Sequence, residues 1–340
     1  MKRVIALLLA AAMLPALAAC AGKSAQSAPS AAQSASPENK VYKIGIAVYD
    51  YHDAFMALYM SEVESYFNTL NEDGVSYVFT IADGKGSQKE QNKQLEDFIS
   101  QKVDAIILNL VETSTAEPMI DKIAEAGIPL VLVNREPRVN GEEESYPGIV
   151  DNEKVCYVGA NAQQSGEMQG EIIRDLPNHG DVNGDGKVGY IMIEGDPENL
   201  DAKYRTEYSV KTLLDAGIKL EKVDGRVGDW RYDLGKEIAA IDLAKHGDAV
   251  EVVFCNNDAM ALGAAVSIAA AGRTVGKDIY LVGVDALDVC VEMVENGSMT
   301  GTVRNDYISQ SHKAVDVAVA AIRGEPIENY YWIDYVKIVK

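Results

Sequence analysis

From Val41 onward, short runs of β-branched and aliphatic residues alternate with stretches whose apolar positions recur at helical spacing. Lys43–Tyr49 (KIGIAVY) has the pattern of a strand. Phe55–Leu70 follows with Met56, Tyr59, Met60, Val63, Tyr66, Phe67 and Leu70 on one helical face. Further strands are predicted at Tyr77–Ile81, Ala105–Leu110, Leu130–Val133, Val188–Ile193, Val250–Cys255, Ile279–Val284 and Gly301–Val303. Helices are predicted between them at Lys89–Gln101, Thr115–Ala126, Gln164–Leu176, Arg205–Ala216, Leu234–Lys245, Ala259–Ala271 and Ser309–Ile322. Such alternation predicts an α/β fold with parallel sheets covered by helices on both faces. So many units in one sheet would be unusual, so two lobes are expected. No fixed-period repeat is visible.

Before Val41 the pattern changes. Lys2 and Arg3 precede an unbroken apolar run from Val4 to Leu14, and small residues lead to Leu17-Ala18-Ala19-Cys20. The run is shorter than the ~20 residues a membrane-spanning helix needs, and the three parts together read as an export signal. The Leu-Ala-Ala-Cys ending resembles a bacterial lipobox, in which Cys20 is lipidated and becomes the mature N-terminus. Residues 21–40, rich in Ala, Ser, Gln and Pro, read as a flexible tether. The expectation is a body outside the cytoplasmic membrane, anchored by lipid on Cys20.

Composition narrows the function. The 340 residues are 47% hydrophobic, enough for a large core. Lys and Arg total 31 against 52 Asp and Glu, a net charge of −21. A surface this acidic repels phosphate backbones, so no nucleic-acid partner is expected. Cys20, Cys156, Cys255 and Cys290 form no CxxC pair. Cys156 and Cys255 sit in apolar runs and are expected to be buried. No GxSxG, GxxxxGK[ST] or HExxH motif occurs, and an enzyme is not expected.

In doubly wound sheets, ligands bind beyond the carboxyl ends of strands. Here those positions carry Asp53, Asn109, Asn134, Glu194, Asn257, Asp285 and Asn305. Asp and Asn also favour loops and helix N-caps, and each taken singly fits that role. As a set they offer carboxylates that accept and amides that both donate and accept, which suits adjacent hydroxyls. Arg205 adds a fork of donors. Phe55 follows Asp53 by two residues, and Trp230 lies in a polar stretch, Gly228 to Asp233. Two aromatic faces against the C–H faces of a sugar ring, with polar residues around its edge, would form a monosaccharide site.

The motifs Tyr51-His52-Asp53-Ala54-Phe55-Met56, Asn109-Leu110-Val111, Asn134-Arg135-Glu136-Pro137, Asp201-Ala202-Lys203-Tyr204-Arg205, Asn256-Asn257-Asp258-Ala259-Met260-Ala261, Gly283-Val284-Asp285-Ala286-Leu287 and Gly301-Thr302-Val303-Arg304-Asn305-Asp306 carry a resemblance. From Lys43 to Asp334 the sequence resembles the periplasmic galactose/glucose-binding proteins of ABC import. The resemblance implies a type I periplasmic binding protein with two lobes joined by a three-segment hinge. The first lobe would comprise 41–129 plus 305–328, and the second 130–304 plus 329–340. It implies sugar hydrogen-bonding by Asp53, Asn109, Asp201, Arg205, Asn257, Asp285 and Asn305, and stacking by Phe55 and Trp230. The family's binding histidine is Asn199 here, which loosens the choice among galactose, glucose and a related pentose. Implied partners are an ABC permease and, in a sensing role, a chemoreceptor or sensor kinase. The protein itself would be a monomer.

Asp181-Val182-Asn183-Gly184-Asp185-Gly186-Lys187 begins like an EF-hand loop, with oxygens at positions 1, 3 and 5, Gly at 6 and a backbone carbonyl at 7. Position 12 is Met192. The family resemblance implies that Glu251 supplies the missing carboxylate, so that Asp181, Asn183, Asp185, Lys187 and Glu251 hold Ca²⁺. Position 9 is Gly189, one oxygen fewer than the family uses. An Asx-rich surface turn is the alternative. Gly184 to Gly189 also fits GxGxxG, but it precedes a strand and is acidic, which argues against a dinucleotide site.

Overall fold

The structure is a computed structural model and describes residues 39–72, 74–137, 147–150 and 152–340. The export signal, Cys20 and nearly all of the tether lie outside the described residues. The strands are β1 (Lys40–Val48), β2 (Val75–Asp83), β3 (Ala105–Leu108), β4 (Leu130–Val133), β5 (Val155–Gly159), β6 (Val188–Glu194), β7 (Leu220–Val227), β8 (Val252–Cys255), β9 (Tyr280–Val282), β10 (Gly301–Arg304), β11 (Tyr330–Trp332) and β12 (Val336–Val339). The helices are α1 (Ala54–Thr69), α2 (Gln88–Gln101), α3 (Glu117–Glu125), α4 (Pro147–Val150), α5 (Ala162–Arg174), α6 (Leu200–Asp215), α7 (Tyr232–His246), α8 (Asp258–Ala270), α9 (Asp288–Asn296) and α10 (Tyr307–Ile322).

The strands form two six-stranded sheets, ordered β11-β5-β4-β3-β1-β2 and β12-β10-β9-β8-β6-β7. The first is parallel throughout. In the second, only the β10–β12 pair is antiparallel. Central strands such as AIIL (105–108), LVLV (130–133) and VVFC (252–255) are buried at every position. Continuous apolar runs of this kind are what a sheet covered on both faces requires. Each sheet accordingly carries two cores, one per face. Ile44, Ile46, Val131 and Val133 pack beneath α1 and α10; Ile106, Leu108, Leu130 and Leu132 face α2 and α3. The second sheet repeats this arrangement around Ile191, Ile193 and Val253 on one side and Tyr190, Met192 and Phe254 on the other. Cys156, Cys255 and Cys290 are free and buried in these cores. Among the described residues no helix is long and apolar enough to cross a membrane.

The two-lobe α/β architecture matches the expectation, but the lobe boundaries differ. β4 and β5 belong to the first sheet, Leu130 pairing with Ile106 and with Val155, so the first crossing falls near residue 160 and not at 129. The last segment is divided: β11 closes the first sheet on β5, and β12 closes the second on β10. An apolar run such as LVLV fits the interior of either sheet and bears no mark of which one it joins. The crossing at residue 305 falls as expected, with β10 in the second sheet and α10 packed on the first. The strands β5, β7, β11 and β12 and the helices α4 and α9 escaped the pattern reading. Both β7 and β12 are half-exposed edge strands; β7 (LEKVDGRV) has few apolar residues, and β12 (VKIV) is only four residues long. At the hinge, Ile333 donates its N–H to the Gly159 carbonyl at 2.8 Å, tying two crossing segments together.

Candidate ligand-binding site

The strand ends of both lobes face one another across a cleft, and three helices begin there. Asp53 is the N-cap of α1, its Oδ1 accepting from Met56 N at 2.8 Å. Asn199 caps α6 by accepting from Asp201 N at 2.8 Å, and Asn257 caps α8 by accepting from Met260 N at 2.9 Å. Turn chemistry and ligand geometry therefore coincide. One oxygen of each side chain satisfies a helix end, and the rest of the group lies at the cleft wall. The space enclosed between these walls is narrow, about 30 Å³, and its lining is predominantly polar and charged.

Nine of the ten predicted ligand residues line this space: Asp53, Phe55, Asn199, Asp201, Arg205, Trp230, Asn257, Asp285 and Asn305. Asn109 stands behind the wall. It is fully buried, its amide donates to Val133 O (3.1 Å) and Asn134 Oδ1 (3.2 Å), and its oxygen accepts from Tyr49 N (3.2 Å). With both ends engaged by the protein, it positions the wall instead of presenting a group. Four further residues line the cleft: Tyr49, Met56, Asn134 and Arg135. Asn134 and Arg135 sat in a quoted motif, and Asn134 ended a predicted strand. Tyr49 read as the last core residue of a strand, and nothing in its pattern distinguished it.

Backbone strain marks the same place. Asn134 (φ 61°), Trp230 (φ 65°) and Asp285 (φ 121°) hold positive φ, a region non-glycine residues rarely adopt. Such conformations persist where surrounding structure enforces them, and they gather at ligand sites.

Arg205 is 3% exposed and is the hub of the second-lobe wall. It donates from one terminal nitrogen to Asn256 O (2.8 Å), and from the other to Asp201 Oδ2 (3.2 Å) and the Tyr335 hydroxyl (3.0 Å). Its Nε is buried with no partner, and so is Nε1 of Trp230. A buried donor without an acceptor costs about 1–3 kcal/mol. Burial raises the carboxyls of Asp53 and Asp201 above the usual carboxylate range and that of Asp285 well above it. Opposing this, Arg135 favours the charged forms of Asp53 and Asp201, and Arg205 those of Asp201 and Asp285. Hydroxyl groups donating into the three carboxylates would favour ionisation further.

A second constellation lies in the loop before β6. Asp181 accepts from Gly184 N (2.7 Å) and Gly186 N (2.9 Å), Asn183 from Asp185 N (2.8 Å), and Asp185 from Lys187 N (3.1 Å). Glu251, 1% exposed, reaches this loop from just before β8. It accepts from Val182 N (2.7 Å), Asn183 N (2.8 Å) and Gly189 N (2.8 Å). A β-carbon at Gly189 would lie 2.0 Å from Ala249 O, so no side chain, and no ligating oxygen, can stand at that position. The side chain of Lys187 turns away to pair with Glu221, leaving its backbone carbonyl as the group the loop can offer.

A periplasmic binding protein domain matches residues 44–326, spanning both sheets. The chain belongs to the periplasmic binding protein family. A periplasmic binding protein of this kind binds a solute and is not an enzyme. The D-galactose/methyl-galactoside binding periplasmic protein MglB of Haemophilus influenzae is 31% identical over 288 residues, covering 83% of this chain and 82% of that one. A putative rhizopine-binding protein of Rhizobium meliloti is 32% identical over 298 residues, covering 87% and 90%. Among solved structures, an ABC transporter solute binding protein from Bacillus halodurans with bound myo-inositol superposes with a TM-score of 0.75. It shares 26% identity and covers 89% of this chain and 95% of its own.

Proposed function

We propose that this periplasmic binding protein holds a monosaccharide between its lobes, galactose or glucose first among candidates, and delivers it to an ABC importer in the cytoplasmic membrane. The observation that carries this reading is the convergence at one cleft of three carboxyl groups, Asp53, Asp201 and Asp285, the guanidinium of Arg205 and two aromatic side chains, Phe55 and Trp230. Sugar hydroxyls would donate their protons to Asp53, Asp201 and Asp285 and accept from the amides of the cleft wall. Phe55 and Trp230 offer the apolar faces that the C–H faces of a ring want. A hexose has about twelve heavy atoms; half the ceiling of ~1.5 kcal/mol per atom is about −9 kcal/mol, near micromolar affinity. The name of the Haemophilus relative supports galactose. A cyclic polyol is the second reading, favoured by the myo-inositol bound to the Bacillus halodurans protein. A pentose is the remaining alternative, because Asn199 replaces the histidine of the galactose/glucose-binding pattern.

In this reading the protein works outside the cytoplasmic membrane, tethered through lipid on Cys20. The loop of Asp181, Asn183, Asp185 and Lys187, with Glu251, would hold Ca²⁺, a hard cation that takes oxygen ligands and stabilises the loop it joins. Gly189 offers no side-chain oxygen, and Ala249 O fills the space beside it, so the loop would hold the ion with one ligand fewer.

Isothermal titration with D-galactose, D-glucose, L-arabinose, D-ribose and myo-inositol tests the reading. Galactose or glucose is expected to bind most tightly, with affinity lost in Asp53→Ala and Trp230→Ala while the fold survives. Heat from none of the five, or unchanged affinity in both variants, would overturn it.

A further inference from the structure

Arg135 is as deeply buried as any charged group at the cleft, yet it follows a strand by only two residues. The chain leaves β4 through Asn134, whose positive φ turns it sharply and whose carbonyl is held by the Tyr157 hydroxyl at 2.8 Å. That turn sends the Arg135 side chain inward, where it is 3% exposed. The guanidinium lies 3.6 Å over the ring of Tyr49 and donates to Val111 O at 2.9 Å, both in the first lobe. The same terminal nitrogen reaches Asp196 Oδ2 of the second lobe at 3.3 Å. Asp196 is held in turn, its other oxygen accepting from Glu198 N at 2.9 Å. This short loop receives a second contact from the first lobe, because Thr113 donates its hydroxyl to Glu198 O at 3.0 Å. Tyr49, beneath the guanidinium, donates to Asp53 Oδ2 at 2.9 Å. An unbroken line of contacts thus runs from the second-lobe loop, Asp196 to Arg135 to Tyr49, and ends on a carboxylate of the ligand cleft.

We propose that Arg135 is the latch of the closed state: a positioning residue that joins the lobes through Asp196 and, by stacking on Tyr49, holds Asp53 in the orientation that meets a bound ligand. Opening the lobes takes Asp196 away, and a buried guanidinium then loses its anionic partner across the cleft. The contact is made only on closure, so it acts on the lifetime of the closed complex and little on the first encounter. The link to Asp53 rests on the proposed function; the lobe-to-lobe contact stands without it.

The test compares wild type, Asp196→Asn, Arg135→Met and the double variant, using D-galactose, D-glucose and myo-inositol as probes. Asp196→Asn changes a partly exposed loop residue that lines the adjoining cavity and not the narrow ligand space itself, so a folding failure of Arg135→Met does not block the test. Stopped-flow dissociation is expected to quicken about tenfold in each single variant, with association changed less than about twofold, the pattern of a contact formed after encounter. The double variant is expected to dissociate no faster than the faster single one, because the two residues act as a pair. Unchanged dissociation, effects that multiply in the double variant, or a loss confined to association would overturn the latch. If no probe binds wild type, the proposed function fails, and small-angle scattering decides the latch alone. A ligand-free wild type more compact than Asp196→Asn supports it, and equal radii of gyration overturn it.

Discussion

A β-carbon on Gly195 would lie 2.2 Å from Cη2 of Trp230, so the indole ring occupies the volume that the absent side chain leaves. Gly195 follows β6, and its N–H is held by Asn256 Oδ1 at 2.9 Å, so the backbone cannot easily retreat. Gly195→Ala is therefore expected to push the ring of Trp230 toward the cleft. Calorimetry should register a loss of about 10–100-fold in sugar affinity, ~1.4–2.8 kcal/mol, with an unaltered far-ultraviolet dichroism spectrum. Full affinity in this variant would show that the ring takes no part in binding.

Tyr335 lies just beyond the last hinge crossing and is one of three acceptors that fix Arg205. Burial, the largest cause, pushes its phenol up to about 12, so it remains neutral at every pH the protein will meet. Tyr335→Phe deletes that acceptor and frees the guanidinium to rotate. One lost hydrogen bond to a charged donor is worth about 1.5–3 kcal/mol. Sugar affinity is expected to fall at least tenfold, measured by titration at pH 7, and thermal stability to fall with it.

Acid should release the sugar. Burial raises Asp53, Asp201 and Asp285 in the ligand-free protein, whereas in the proposed binding mode the ligand's hydroxyls donate to the ionised forms. Protonation therefore competes with binding, and it sets in at a higher pH than for an exposed carboxylate. Affinity is expected to decline as pH falls through the raised carboxyl range, well before ordinary aspartates titrate. Titrations from pH 8 to pH 4 would show this, and an affinity constant down to pH 4 would rule out carboxylate acceptors.

Glu136 makes a separate, opposite prediction for stability. Burial, opposed by a hydrogen bond from Tyr330 and reinforced by the charge of Asp201, raises its carboxyl to about 7. The folded value lies above the unfolded one. Its contribution to stability is thus complete below the unfolded value and is lost as pH climbs through about 7. Glu136→Gln cannot ionise and should raise the melting temperature at pH 8 by about 2–4 °C, the effect of ~1 kcal/mol in a protein of this size. At pH 5 it should change little. Thermal-shift curves at the two pH values check both halves.

For the loop at Asp181, chelation is the direct measurement. If Ca²⁺ binds the folded protein alone, a hundredfold excess over its dissociation constant adds about 2.7 kcal/mol. EDTA is then expected to lower the melting temperature by several degrees, and added Ca²⁺ to restore it. Asp181→Ala should be insensitive to both. Identical curves with and without EDTA in the wild type would leave the loop as an Asx-rich turn.

Most of the cleft was legible because two demands on the same residues agree. Asp53, Asn199 and Asn257 announce helix starts, and helix starts at strand ends are where such folds bind ligands. Phe55 and Trp230 stood out by being aromatic at those positions. Asn109 has the same chemistry and the same strand-end position, yet both ends of its amide are engaged by neighbours. Only the third dimension distinguishes an amide facing a ligand from one holding the wall. Arg135 and Tyr49 show the converse: an arginine after a strand reads as solvated, until a left-handed Asn134 directs it inward. Sheet membership was hidden for a similar reason, since β4 is equally at home beside any parallel neighbour.

The last ten or so residues carry a consequence for assembly. β11 seals the outer margin of one sheet and β12 that of the other, with only a short crossing between them. Each half therefore lacks one rim until residues 330–339 have been made, and each is completed by a strand from a distant stretch of the sequence.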